Sequence, residues 1–332
     1  MIHSWERFLI FFLVVFTATN LVFAALKMSA ISYSYAHLLR AQEVMNINII
    51  MAMGDFLILF YFRQCLNELN RFQSVPRWVL LLFVGALCMF LLCLMFGAHL
   101  GFFSYYVLCD TEPSWLSVLS LTAVGGWTYL VAFLCFFCVV NVTTRILLFC
   151  TITRSCYQRL LTNHPCFRAV LVQAHWQFVI CLLLMIFFSV LSLIGASRIT
   201  VRLTDITLRK LPEEFDGLTI ALLTDIHIGP TVGQRAVSKV VNIVNELNPD
   251  IITIVGDLVD GPFEDLKHAA TPLSQLKSKH GIFFALGKLK DGRNFSFSYN
   301  DAFRKPRTLL WKGKERFQIY GETKIGLSAT LR

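Results

Sequence analysis

The chain has 332 residues, of which 56% are hydrophobic, 14% aromatic and only 15% charged, with a net charge of +9. Soluble domains carry about 25% charged residues, so this balance excludes a wholly soluble protein and points to the bilayer. The imbalance is local: residues 1–197 are almost all apolar, whereas 198–332 have the mixed texture and size of one small soluble domain.

A membrane-spanning helix needs about 20 mostly apolar residues, and five stretches meet or approach that length. The first starts at Phe8 and is longer than the apolar core of a signal peptide, with no convincing small-residue cleavage site, so it reads as a retained anchor. The second starts at Val44 and is weakened by Asn46, Asn48 and Asp55. The third starts at Trp78, the fourth runs from Trp115 to about Val140, and the fifth starts at Gln177. Asp55, an ionisable group within a span, suggests ion passage or a polar contact between helices. No string of intramembrane charges accompanies it, which argues against a transporter.

Basic residues orient such spans. Arg63, Arg71 and Arg77 follow the second span, and Arg145, Arg154, Arg159 and Arg168 follow the fourth. The loop after the third carries Asp110 and Glu112 and no basic residue. Five crossings place both basic loops in the cytosol and everything after residue 197 in the lumen or exterior. Asn294-Phe295-Ser296 is then an N-glycosylation acceptor on the permitted side, whereas the sequon Asn141-Val142-Thr143 lies at a membrane border and is expected to stay unmodified. All ten cysteines lie between Cys65 and Cys181, most within apolar runs; Cys135 and Cys138 have the spacing of a zinc pair but read as packing.

In the soluble part, residues 199–208 partly alternate and predict a strand, and "LPEEFDG" predicts a turn-rich connection. "LTIALLTD" is a continuous apolar run ending at Asp225, as expected of a strand covered on both faces. Val237, Val240, Val241, Val244 and Leu247 recur at helical spacing until Pro249 stops them. "DIITIVGD" predicts a second buried strand ending at Asp257, residues 263–279 one or two short helices broken at Pro272, and "GIFFALG" a third strand. Alternating strands and helices imply an α/β domain, with its site at the carboxyl ends of the strands.

Asp225 and His227 share one strand end, and Asp257 and Asp260 the next. Two carboxylates and an imidazole make a mixed oxygen and nitrogen donor set that suits Mn, Fe or Zn better than Ca. Such ions polarise a phosphate and supply hydroxide at neutral pH. Asp260-Gly261 is also a favoured turn pair, so Asp260 reads as shaping the loop.

"TDIHIG", "GDLVDG" and "GIFFALG", residues 224–229, 256–261 and 281–287, resemble the first two motifs of the calcineurin-like metallophosphoesterases and the approach to the third. With the spans before it, the run from about Leu208 to Gly287 looks like the membrane-attached branch of that family. The resemblance implies that Asp225, His227 and Asp257 are ligands of the first metal, with Asp257 bridging to a second. The family's third motif continues Gly-Asn-His, whose Asn ligates the second metal and whose His protonates the leaving oxygen. Here Gly287 is followed by Lys288, Leu289 and Lys290, and no histidine follows His280. A charged ammonium has no lone pair for a metal, so at most one ion is expected to be held well. His268 and His280 match no family ligand.

The charge pattern shifts at the same place. Residues 198–287 hold nine Lys/Arg against eleven Asp/Glu, and residues 288–332 hold eleven against four. The expected organisation is therefore a multi-pass α-helical membrane region (1–197), a truncated α/β metallophosphoesterase-like domain (198–287) and a divergent basic tail (288–332), mostly irregular beside an unprotected sheet edge. The expected partners are the lipid bilayer and a phosphoester substrate, not nucleic acid. Two functional classes stand side by side: a membrane-anchored phosphohydrolase, which the resemblance implies for a complete site, and a non-catalytic membrane isoform or partner-binding protein, which the altered third motif favours.

Overall fold

The computed structural model describes residues 2–28, 32–69, 76–107, 112–196, 198–207, 211–260, 263–286, 308–310 and 328–330. Asp110, Arg71, Gly261, Lys288 and the Asn294 acceptor lie outside the described residues. The chain divides into one unit of Met1–Phe103 with Leu119–Leu191 and a second of Ser104–Val118 with Ser192–Arg332.

Helices α1 (Ile2–Met28), α2 (Ser32–Leu69), α3 (Arg77–Val107), α4 (Trp115–Phe149) and α7 (Ala174–Ala196) are each long and apolar enough to cross a membrane. Two short helices, α5 (Thr151–Asn163) and α6 (Pro165–Val172), connect α4 to α7. The five apolar stretches match the five predicted ones, and the doubtful second extends over Ala41–Glu68.

The polar residues that weaken α2 as a span each meet a partner on another helix, as apolar surroundings demand. Asn46 and Asn20 of α1 exchange hydrogen bonds of 3.0 and 3.1 Å. Asn48 Oδ1 lies 2.6 Å from His99 Nδ1 on α3. Asp55 accepts from Trp127 Nε1 of α4 at 2.8 Å and lies 2.7 Å from His99 Nε2. At the far end of α2, Glu68 accepts the backbone N–H groups of Ala174 and His175, satisfying orphan donors at the start of α7. Between these, Tyr61 accepts from Asn141 of α4, whose amide also pairs with Gln177 of α7 at 3.0 Å in both directions. Asn141 thus belongs to a contact between helices.

Lipid tails are as apolar as Leu, so burying Ile58, Leu91, Leu130, Leu134 and Phe178 between these helices contributes by close packing rather than by escape from water. Glycines permit that packing. A Cβ on Gly54 would come within 2.3 Å of Trp127 Cζ2, and one on Gly101 within 2.8 Å of the Ser120 carbonyl. Cys135 and Cys138 are free thiols exposed on α4.

The second unit is built on a sheet in the order β1-β6-β2-β3-β4-β5, formed by β1 (Thr200–Arg202), β2 (Ile220–Thr224), β3 (Ile251–Gly256), β4 (Gly281–Leu286), β5 (Thr308–Leu310) and β6 (Ser328–Thr330). All neighbours pair in parallel except β1 with β6. Helix α8 (Gln234–Glu246) connects β2 to β3, and α9 (Phe263–Ala270) with a 3-10 turn at Thr271–Gln275 connects β3 to β4. Val237, Val240, Val241 and Val244 form the buried stripe of α8 and pack with Leu273 and Leu276 onto Leu223, Ile252, Ile254 and Phe284. Each such side chain buried from water is worth about 1.5–3 kcal/mol.

Three expectations change. Among the described residues, the strand predicted over 199–208 forms only at Thr200–Arg202, where β6 supplies a partner, and Leu203 and Ile206 beyond it are exposed. The apolar runs of β2 and β3 predicted cover on both faces, but burial alternates along them. The helices gather on one face, and Val255 on the other is 38% exposed. The edge expected to stand open beside β4 is paired in parallel by β5, and β6 within the tail lies against β2. An open edge presents a row of unpaired backbone groups, and these three-residue strands meet part of that demand.

The amino ends of the three central strands are pinned together. Asp250 Oδ2 accepts from the backbone N–H and hydroxyl of Thr219 at 2.8 and 2.7 Å, and Lys279 Nζ donates to Oδ1 at 2.8 Å. The N–H of His280 donates to the Asp250 carbonyl at 2.8 Å. The Lys279 ammonium, followed by the Thr219 donors, holds the Asp250 carboxyl well below the usual carboxylate range. A depressed carboxyl stabilises the fold above its unfolded value, about 4, and loses that contribution as the pH falls through the folded value. Lys279 is 57% exposed, so its share is screened by solvent and the Thr219 bonds dominate. Asp250→Asn should therefore lower the free energy of opening of β2 and β3 by about 1–2 kcal/mol at neutral pH, with the difference from wild type shrinking in acid. Amide hydrogen exchange on the full chain measures this, and unchanged protection at neutral pH would contradict it.

Candidate metal centre

The carboxyl ends of β2 and β3 stay paired after the strands finish. The N–H of Asp225 donates to the Val255 carbonyl, that of His227 to Asp257, that of Ile228 to Leu258, and that of Asp260 back to Ile228, at 2.8–3.1 Å. Ile228 and Val259 form one further parallel bridge. Ile226, Ile228 and Leu258 are buried beneath this rim. Asp225, His227 and Asp257 alternate with them and are exposed.

The alternation needs unusual backbone. Asp225 and His227 have φ of 48° and 50°, the left-handed region that Asp and His enter more readily than most side chains. Such conformations cost about 1–3 kcal/mol each and concentrate at functional sites. Gly256 has φ 89°, and a Cβ there would lie 2.2 Å from Asp225 Oδ1. Only glycine lets the Asp225 carboxylate sit over the end of β3, where Oδ1 accepts the Asp257 N–H at 3.2 Å.

Asp260 does more than shape its turn. Its Oδ1 lies 2.5 Å from His227 Nδ1. Burial alone pushes the imidazole pKa down, but the Asp260 hydrogen bond and the nearby Asp257 and Asp225 charges outweigh it and raise the pKa of His227. A carboxylate on one ring nitrogen orients a histidine and leaves the other nitrogen available to a ligand, the usual support of a metal-binding histidine. A carboxylate three residues after Asp257 was a sequence signal for this partner; turn chemistry alone did not reveal it.

The donor set, two carboxylates and an oriented imidazole on one rim, fits a divalent transition ion in kind. Among the described residues no group of three or more His, Cys, Asp or Glu side chains is gathered closely enough to hold one. The backbone brings the two loops together, while the Asp225 and His227 side chains engage Asp257 N–H and Asp260. His268 lies in α9 and His280 before β4, so neither belongs to the strand ends that carry the rim.

The second unit also includes the turn before α4. Helix α8 begins after Gly233, which has no side chain to cap it. Glu112 Oε1 instead accepts the Arg235 N–H at 2.8 Å, an anion placed at the positive end of the helix. A Cβ on Gly233 would come within 2.5 Å of Pro113 Cδ, so glycine is what admits the turn. This contact had no sequence signal.

No family model matches the chain, and no solved structure matches it. Among curated proteins it is similar to the "Transmembrane protein with metallophosphoesterase domain" of Danio rerio, 34% identical over 255 residues, covering 76% of this chain and 53% of that protein. A metallophosphoesterase of Caenorhabditis elegans is 30% identical over 216 residues, covering 65% of this chain and 41% of its own length. An uncharacterised metallophosphoesterase of Helicobacter pylori is 41% identical over 93 residues, 28% of this chain and 24% of its own. The chain thus spans about half the length of the fish protein. The 255-residue match is longer than everything after residue 197, so it extends into the apolar helices. Motif residues at the ends of β2 and β3, and similarity that runs on into a membrane region, lead to one conclusion: the chain is related to transmembrane proteins with a metallophosphoesterase domain.

Proposed function

We propose that this chain is a membrane-anchored, metal-binding member of the calcineurin-like metallophosphoesterase family, holding one divalent transition ion on Asp225, His227 and Asp257 and hydrolysing phosphoesters no faster than background. The paired rim supports this reading most strongly: backbone bonds join the two loops that carry all three donors, and Asp260 orients His227. A bound ion polarises a phosphate and lowers the pKa of a bound water. The protein's part is to place Asp225 and Asp257 as oxygen donors and to present His227 Nε2 with Nδ1 engaged by Asp260. Where the family motif carries Asn and His, this chain has Lys288 and Leu289. Neither residue supplies a metal ligand beside a cation or a proton for a leaving oxygen. General acid catalysis contributes about 10²–10⁴-fold, so hydrolysis of substrates with poor leaving groups should be near background. The assay compares the purified full chain with Asp225→Ala on an activated aryl phosphodiester, with Mn or Zn added. Equal, background rates are expected; substantial turnover abolished by Asp225→Ala would establish a working hydrolase.

The orientation belongs to the same proposal. Arg63 and Arg77 flank one connection and Arg145, Arg154, Arg159 and Arg168 another, favouring the cytosol for both. Glu112, in the acidic connection between α3 and α4, bonds to α8 within the second unit, which supports placing that connection on the same side as the sheet. With five crossings, that side is the lumen or exterior. Expression in a glycosylating cell should give a glycosidase-sensitive species that Asn294→Gln abolishes. Glycosylation at neither acceptor, together with protease cleavage of the sheet region from the cytosolic side, would reverse the orientation.

A further inference from the structure

The membrane unit holds an ionisable pair that the phosphoesterase site does not use, and its hydrogen bonds specify where the protons are. Asn48 Nδ2 donates to the Val44 carbonyl at 2.9 Å. A carbonyl only accepts, so this bond fixes the amide and turns Asn48 Oδ1 towards His99 Nδ1, 2.6 Å away. Nδ1 must therefore carry a proton. On the other side, His99 Nε2 lies 2.7 Å from Asp55 Oδ2, and two bare acceptors at that distance would repel, so a second proton lies between them. Trp127 Nε1, a donor only, holds Asp55 Oδ1 at 2.8 Å. Each oxygen of Asp55 thus faces one hydrogen-bond donor, Trp127 Nε1 at Oδ1 and the proton shared with His99 Nε2 at Oδ2.

We propose that Asp55 and His99 form a proton-binding site within the membrane unit, occupied as a carboxylate–imidazolium pair that clasps α2, α3 and α4. The bound ligand is one proton on Nε2, shared towards Oδ2. The groups facing it are Asp55 and Asn48 from α2, His99 from α3 and Trp127 from α4; neither Asp55 nor His99 has another hydrogen-bond or ion-pair partner among the described residues. Gly54 makes the arrangement sterically feasible, because a Cβ there would collide with the Trp127 ring at 2.3 Å. The Asp55 and His99 side chains are 14% and 30% exposed, so the pair is partly sheltered rather than fully at the surface. When the proton leaves Nε2, an imidazole lone pair faces a carboxylate oxygen, and α2 and α3 are driven apart at that point. Occupancy of the site is thereby linked to the packing of three helices.

The test is nitrogen NMR of the full chain carrying [¹⁵N]histidine, in lipid nanodiscs at neutral pH, with the His99 signals identified as those missing from His99→Gln. Both ring nitrogens of wild-type His99 should show imidazolium shifts. A neutral His99 ring in wild type, whichever nitrogen carries its single proton, overturns the proposal. Asp55→Asn keeps the shape but removes the charge and should convert His99 to the neutral ring; an imidazolium that persists there overturns the pairing with Asp55. Should Asp55→Asn fail to fold, the wild-type spectrum decides by itself, and Trp127→Phe, which removes one donor to Asp55, should raise the neutral fraction of His99, no change overturning the three-helix clasp.

Discussion

Parallel pairing between β2 and β3 continues past the last strand residues, and the candidate centre depends on that continuation. In most sheets the chains diverge once the ladder ends; here the N–H groups of Asp225, His227 and Ile228 still find carbonyls on Val255, Asp257 and Leu258. Keeping the loops paired while Asp225 and His227 stay outside requires left-handed backbone at both positions. It also requires a glycine, Gly256, beneath the Asp225 carboxylate. The strain of about 1–3 kcal/mol per residue is offset by the buried Ile226, Ile228 and Leu258 that alternate with the exposed polar residues.

The same logic, polar groups held by specific partners against an apolar background, organises the membrane unit. Lipid offers no hydrophobic reason for helices to associate, so the contacts that select one arrangement are the polar ones along α2: Asn46 with α1, Asn48 and Asp55 with α3 and α4, Tyr61 and Glu68 towards α4 and α7. Close-packed glycines such as Gly54 and Gly101 bring the backbones near enough for those side chains to meet.

Much of this was legible in the chain itself. The valine stripe of α8, the stop at Pro249 and the two strands ending at Asp225 and Asp257 follow from periodicity and turn chemistry, and the structure places them as read. Features set by contacts distant in sequence were not legible. Asp55 suggested a polar contact between helices, but its partners, His99 and Trp127, lie 44 and 72 residues away and had no local signal. Thr308–Leu310 is too short to announce a strand, and only the demand of the β4 edge explains it. Glu112 reaches Arg235 across 123 residues. Asp260 was noticed, but its role beside His227 depends on a loop geometry that the D-x-x-D spacing alone leaves open.

The central claim is that the three rim donors hold one ion. The most direct measurement is the metal content of the purified full chain after equilibrium dialysis against Mn or Zn, read by elemental analysis beside Asp225→Ala and His227→Ala. The account predicts about one ion per chain in wild type and loss of that ion in both variants. Two ions per chain, or one ion that survives either substitution, would contradict it, as would a wild-type chain that binds none.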